Sequence, residues 1–248
     1  MSTPKRKELS RKEEMRQKRR RAQLRQRLIV FLIIGGVALV VLALVIGPSI
    51  RDATAPVGEI TQITPVPRPM AESRNMGDPN APIRMEVYSD FQCSACGIFA
   101  QQVEPLVVDQ YVEPGQVYIV YRHFPILDRG TNESRQSANA SMCAAEQDRF
   151  WDYHDILFAN RTGVNVGAFT ERRLNAFAEA LGMDTDAFSA CLNANRYQDV
   201  VSEDMTAGQQ LGITGTPAVF VNGTQIAPGF VPTFEALQEA FDAELAAQ

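Results

Sequence analysis

Val87-Tyr88-Ser89-Asp90-Phe91-Gln92-Cys93-Ser94-Ala95-Cys96 decides the reading of this 248-residue chain. The apolar, β-prone positions Ile83, Met85, Val87 and Tyr88 predict a strand, and Gly97-Ile98-Phe99-Ala100-Gln101-Gln102-Val103 is compatible with a helix. A cysteine that opens a helix sits among unpaired backbone N–H groups and the positive end of the dipole, which stabilise its thiolate. The i, i+3 spacing puts Cys96 about one helical turn from Cys93, near enough to bond to it or to attack a mixed disulfide. Strand, CxxC and helix in that order describe a redox dithiol. Zinc would need two more ligands, usually a second close pair. Cys143 and Cys191 are single, and the histidines are His123 and His154, so no metal site is expected. Nor is a cofactor.

Outward from this stretch, the N-terminus is strongly basic. Residues 1–27 hold 12 Lys and Arg against 3 Asp and Glu, a charge of +9, and the rest of the chain carries −14, for −5 overall. Leu28 to Gly47 then runs for twenty residues without a charge or a hydrogen-bonding side chain. At about 1.5 Å per residue it matches the roughly 30 Å hydrocarbon core of a bilayer, longer than a secretory leader's apolar region. The expected topology is a single-pass cell-membrane protein, with residues 1–27 cytoplasmic and residues 48–248 outside. The basic run is then a topology determinant, and nucleic acid is not expected as a partner. Residues 48–82 hold seven of the fourteen prolines (Pro48, Pro56, Pro65, Pro67, Pro69, Pro79 and Pro82), which predicts a semi-rigid stalk over 48–75.

From 76 to 248 the length suffices for one domain with a core. Ile83–Tyr88 and Val117–Tyr121 read as strands, with a helix over Cys96–Tyr111, broken or kinked at Pro105, between them. That is a βαβ unit. Residues 130–211 read as a helical insert, with Phe150, Trp151 and Tyr153 in its core. Gly182 stops one helix there, and Asp184 with Thr185 begins the next. Asn222-Gly223-Thr224 between Ala218–Val221 and Gln225–Ala227 predicts a hairpin, and Phe234–Leu245 a closing amphipathic helix. In an oxidising compartment two spare cysteines in one subdomain usually pair, so Cys143 and Cys191 are expected to form a structural disulfide. His123 and His154 are expected to be packed residues rather than catalytic ones.

Met76-Gly77-Asp78-Pro79-Asn80-Ala81-Pro82, Ser89-Asp90-Phe91-Gln92-Cys93-x-x-Cys96, Phe150-Trp151-x-Tyr153-His154-Asp155 and Gly215-Thr216-Pro217 with Val221-Asn222-Gly223 together resemble the DsbA-like branch of the thioredoxin superfamily, in its membrane-anchored bacterial form. The resemblance implies an α/β thioredoxin fold with an inserted helical subdomain, and thiol–disulfide exchange outside the cytoplasm. It implies that Cys93 and Cys96 are the reacting pair and that Pro217 follows a cis bond facing them. Thr216 would pair with the substrate backbone beside Ser94 and Ala95. The implied partners are exported proteins with free cysteines and a membrane protein that reoxidises the pair. Two positions depart from the family. Ser94-Ala95 supplies no imidazole between the cysteines, which predicts a less extreme thiol and a milder oxidant. Six positions before Cys93, where many such enzymes have an acid, stands Val87, with Glu86 turned to the opposite face. The same dithiol could instead serve a reductase or isomerase. In a different class, a metal-binding module or copper chaperone would use Cys93 and Cys96 as soft ligands.

Overall fold

Ile83–Ser89 alternates at first, with Ile83, Met85 and Val87 buried and Arg84 exposed, and ends buried on both faces. That pattern belongs to a central strand. In the computed structural model, which describes residues 24, 27, 29–44 and 57–247, this strand is β2. It pairs in parallel with β3 (Val117–His123), from Ile83 opposite Val117 to Ser89 opposite His123. On its other side it pairs antiparallel with β4 (Ala218–Val221). β5 (Thr224–Ile226) and β1 (Asn75–Met76) complete a sheet of order β1-β3-β2-β4-β5. Asn222 and Gly223 both adopt positive φ, as the two-residue primed turn requires.

Between β2 and β3 lie α1 (Ser94–Ile98), a π-helical stretch (Phe99–Val103), α2 (Glu104–Val107) and a second π-helical stretch (Val108–Val112). The helical run therefore starts two residues earlier than the sequence suggests, and it does not break at Pro105. Proline has no N–H to give the preceding turn, and the ladder widens there instead of ending. Residues 133–210 form the helical subdomain: α3 (Glu133–Ala145), α4 (Phe150–Ala159), α5 (Glu171–Ala180), α6 (Thr185–Asn193) and α7 (Gln198–Gln210). The Asp184 side chain caps α6 through the N–H groups of Asp186 and Ala187, as its position predicts. Phe150, Trp151 and Tyr153 are core residues. A disulfide joins Cys143 to Cys191 with a sequence separation of 48, linking α3 to α6. Closing such a loop stabilises the fold by roughly 4 kcal/mol on chain-entropy grounds. Helix α8 (Phe234–Ala246) packs Leu237 and Phe241 into the main core.

Residues 57–75, expected in the stalk, are part of this packed unit. Ile60 and Ile63 lie against the main core, and the Asn160 side chain bonds the backbone of Thr61 at 2.7 and 2.9 Å. Arg173 donates to the Val57 carbonyl. Arg68 pairs with Glu104 at 2.7 Å and Asp155 at 2.8 Å. Proline content does favour extended backbone here, but an extended strap can dock as readily as it can project. The sequence-derived boundary at residue 76 thus falls inside the domain.

The chain divides into two units, residues 1–54 and 55–248. In the first, residues 29–44 are helical with exposed apolar side chains such as Phe31, Leu32 and Leu44. Among the described residues no helix is long and apolar enough to cross a membrane. The ends of the expected span 28–47, nearly all of the tail 1–27 and the stalk residues 48–56 lie outside the described residues.

Candidate active site

Strand β2 delivers the chain to a turn in which the Cys93 N–H donates to the Asp90 carbonyl at 2.9 Å. Cys93 is the N-cap of α1, in extended conformation, and its own carbonyl accepts from Gly97 N at 3.1 Å. Its sulfur is half-buried; that of Cys96, one turn further on, is on a residue only 1% exposed. Ser94 between them faces solvent, and Ala95 is half-buried. Thr216–Pro217 is a cis peptide, and the Thr216 carbonyl lies 3.3 Å from the Cys93 sulfur, which donates to it as a thiol. The fold therefore gathers Cys93, Cys96, Thr216 and Pro217 at one end of the sheet. The Cys143–Cys191 bond belongs to the helical subdomain.

The two sulfurs are driven apart in acidity. Cys93 falls from 9.0 to about 5. The largest cause is hydrogen bonding from Cys96; burial opposes it, and the Thr216 side chain and the backbone N–H groups of Cys96 and Ala95 add to it. Cys96 is pushed well above 9.0, chiefly by burial and then by its bond to Cys93 and the Cys93 charge. No imidazole is needed for this. A value about 5 lies between those typical of thioredoxin, ~7, and DsbA, ~3.5, in keeping with the milder thiol expected from Ser94-Ala95. The geometry yields an accessible nucleophilic thiolate and a protonated buried partner.

Val87 is buried where an acid would stand, and Glu86 faces the other side, accepting from Arg122 at 3.0 and 3.1 Å. His123 is buried among Phe91, Tyr121 and Phe150, with burial holding its pKa well below the usual value. His154 bonds Asp155 through Nδ1 at 2.8 Å. Both histidines are packed residues. Sequence reasoning missed Ser134 and Asn165, which reach the turn before Cys93 from far along the chain, and the buried pair of Glu104 with Arg68. Among the described residues no three His, Cys, Asp or Glu side chains group closely enough to hold a metal.

In the reduced protein, alkylation of Cys93 by iodoacetamide should rise with a midpoint near pH 5, while Cys96 stays unmodified through neutral pH. Because the folded value lies below the ordinary 9.0, the stabilisation of the reduced form is complete above about pH 9 and is lost as pH falls through 5. A Cys93 midpoint near 9 would contradict the geometry.

A family model described as Thioredoxin matches residues 70–243. The chain is 27% identical over 174 residues to "Probable disulfide bond formation protein D" of Bacillus anthracis, covering 69% of this chain and 78% of that one. It is 34% identical over 147 residues to the Na(+)/H(+) antiporter NhaA 3 of Salinispora tropica, covering 59% of this chain but only 21% of the antiporter. The crystal structure of Chlamydia trachomatis DsbA superposes with a TM-score of 0.62 at 23% identity, covering 76% of this chain and 99% of that one, a likeness of fold. Family match and fold agree: the chain belongs to the thioredoxin family, and its fold is the one DsbA has.

Proposed function

We propose that this protein is a membrane-tethered oxidase that forms disulfides in exported proteins, with Cys93 and Cys96 as its reacting pair. The observation that carries the reading is the split between a half-buried Cys93 at about 5 and a buried Cys96 held protonated. A substrate thiolate attacks the Cys93 sulfur of the Cys93–Cys96 disulfide, and Cys96 leaves and takes up a proton. A second substrate thiolate then attacks the substrate sulfur of the mixed disulfide and expels Cys93 as a stable thiolate. The substrate loses two electrons and the enzyme gains them. A low leaving-group pKa favours that second step, which is the donating direction. Thr216, in the bend between Gly215 and the cis Pro217 that leads into β4, is the backbone offered to the substrate chain.

The apolar run 28–47, behind a tail of charge +9, supports anchoring with the domain outside the cytoplasm. Reoxidation then falls to a membrane partner that accepts two electrons. The test is the equilibrium of the Cys93–Cys96 pair in the full, detergent-solubilised chain with glutathione buffers. A potential well above the roughly −270 mV of thioredoxin supports an oxidase, and a value near it turns the assignment to a reductase or isomerase. Recovery of the chain from the wash, rather than from the bilayer, after alkaline extraction of membranes would remove the anchor.

A further inference from the structure

The turn before the dithiol carries two buried polar side chains that the exchange reaction does not touch, Asp90 and Gln92. One Asp90 carboxylate oxygen accepts from Gln92 N at 2.9 Å and the other from Leu127 N at 3.0 Å. The Ser134 hydroxyl donates to the same carboxylate at 2.7 Å. Gln92 Nε2 donates to Ser134 Oγ at 2.7 Å and to Asn165 Oδ1 at 3.2 Å, while Gln92 Oε1 accepts from Asn165 N at 2.6 Å. Asn165 Nδ2 closes the set on the Leu127 carbonyl at 2.8 Å.

The direction of these bonds is determined. Ser134 has one proton, and because its oxygen receives the Gln92 amide, the proton goes to Asp90. Two backbone N–H groups and a hydroxyl thus converge on one carboxylate. That carboxylate is costly to keep: burial raises it to about 6, against the hydrogen bonds that lower it. A side chain held charged at a cost, next to a reactive cysteine, points to function rather than to stability. Its partners come from the turn itself, from the loop after β3 and from α3, while Asn165, in the loop after α4, reaches it only through Gln92 and Leu127. The Asp90 backbone carbonyl receives the Cys93 N–H at 2.9 Å.

We propose that Asp90 is a positioning residue through which the helical subdomain sets the reactivity of Cys93. Ser134, Gln92 and Leu127 fix the Asp90 side chain, Asp90 fixes the turn, and the turn holds Cys93 where the N–H groups of Ala95 and Cys96 reach its sulfur. The Asp90 side chain touches neither substrate nor the reacting sulfurs; only its backbone N–H reaches Cys96.

The test uses the full chain carrying Ser134→Ala, Asp90→Asn, both together, and Asn165→Gly, the last suited to the positive φ of 56° at that position. The readouts are the pH midpoint of Cys93 alkylation and the equilibrium constant with glutathione. Ser134→Ala and Asp90→Asn should each raise the midpoint by about one unit, which at pH 7 weakens oxidation of glutathione roughly tenfold. The double variant should shift no further than Asp90→Asn alone, because the two act in series. Asn165→Gly should shift the same way by less. Folded variants that lose thermal stability but keep the wild-type midpoint and equilibrium constant would overturn the proposal, as would additive shifts in the double variant. The proposal rests on the dithiol reading above, and the failures are separable. An oxidase reading fails in the wild-type potential, the positioning role only in differences between variants.

Discussion

A chain carrying Cys93→Ala should exchange no disulfides above background, and one carrying Cys96→Ala should stop half-way with substrate attached. The difference follows from access and charge. Cys93 is the half-buried sulfur at the helix start, so it is the atom a substrate thiolate can approach, and no other free thiol among the described residues can stand in for it. Cys96 is enclosed and held protonated, so it cannot begin exchange. It can only leave Cys93 or return to it. Removing it leaves Cys93 able to form a mixed disulfide that nothing within the enzyme resolves. Cys96→Ala should also move the Cys93 midpoint upward from about 5, because Cys96 is the largest cause of its depression, while the Ala95 backbone and Thr216 side chain keep it below the ordinary thiol value. Non-reducing gels and mass spectrometry of trapped adducts read both variants. Exchange surviving in Cys93→Ala would sink the assignment of the nucleophile.

Arg68→Met should destabilise the fold by about 3–5 kcal/mol, a loss set by what it leaves behind rather than by what it removes. Glu104, on the same helical run as Cys96, is 1% exposed, and its side chain bonds the Arg68 guanidinium at 2.7 Å. Methionine fills much of the same volume, so packing is largely kept. The Glu104 carboxylate would then have to hold its charge without a partner or take up a proton. The other guanidinium nitrogen holds Asp155 at 2.8 and 2.9 Å, and the group lies 5.0 Å from the centre of the Trp151 ring. Arg68→Lys should recover only part of the loss, because an ammonium cannot serve two carboxylates with the geometry of the guanidinium fork. Urea unfolding of the three proteins measures this. A loss below 1 kcal/mol in Arg68→Met would show that Glu104 is stabilised by other groups.

What could be read in the sequence was local. Strand, CxxC and helix are contiguous, and each residue's part depends on neighbours within a few positions. The same holds for the Asn222-Gly223 turn and for the Gly182 stop before the Asp184 cap. The bonds that brace the site are not of that kind. Ser134 reaches Gln92 across 42 positions, Asn165 across 73, and Arg68 reaches Asp155 across 87. A serine in an Ala-rich helix and an asparagine in a loop carry no mark of such a partner before the chain folds. The two residues of β1 are too few to show alternation. In residues 57–75 the cluster Pro65, Pro67 and Pro69 points to extended chain, although Ile60, Ile63 and Arg68 make the contacts that dock the strap.

The unequal sulfurs also impose a proton count on the enzyme. Between about pH 5 and the ordinary thiol value near 9, reduction of the Cys93–Cys96 bond takes up two electrons but only one proton, because Cys93 stays ionised. An ordinary substrate dithiol gives up two of each. One proton per disulfide is therefore released to the medium, and the equilibrium favours the oxidised substrate about tenfold more for every unit by which pH rises in that window. Acidifying the medium would oppose net disulfide formation by mass action alone, with no change in the fold or in the contacts at the site.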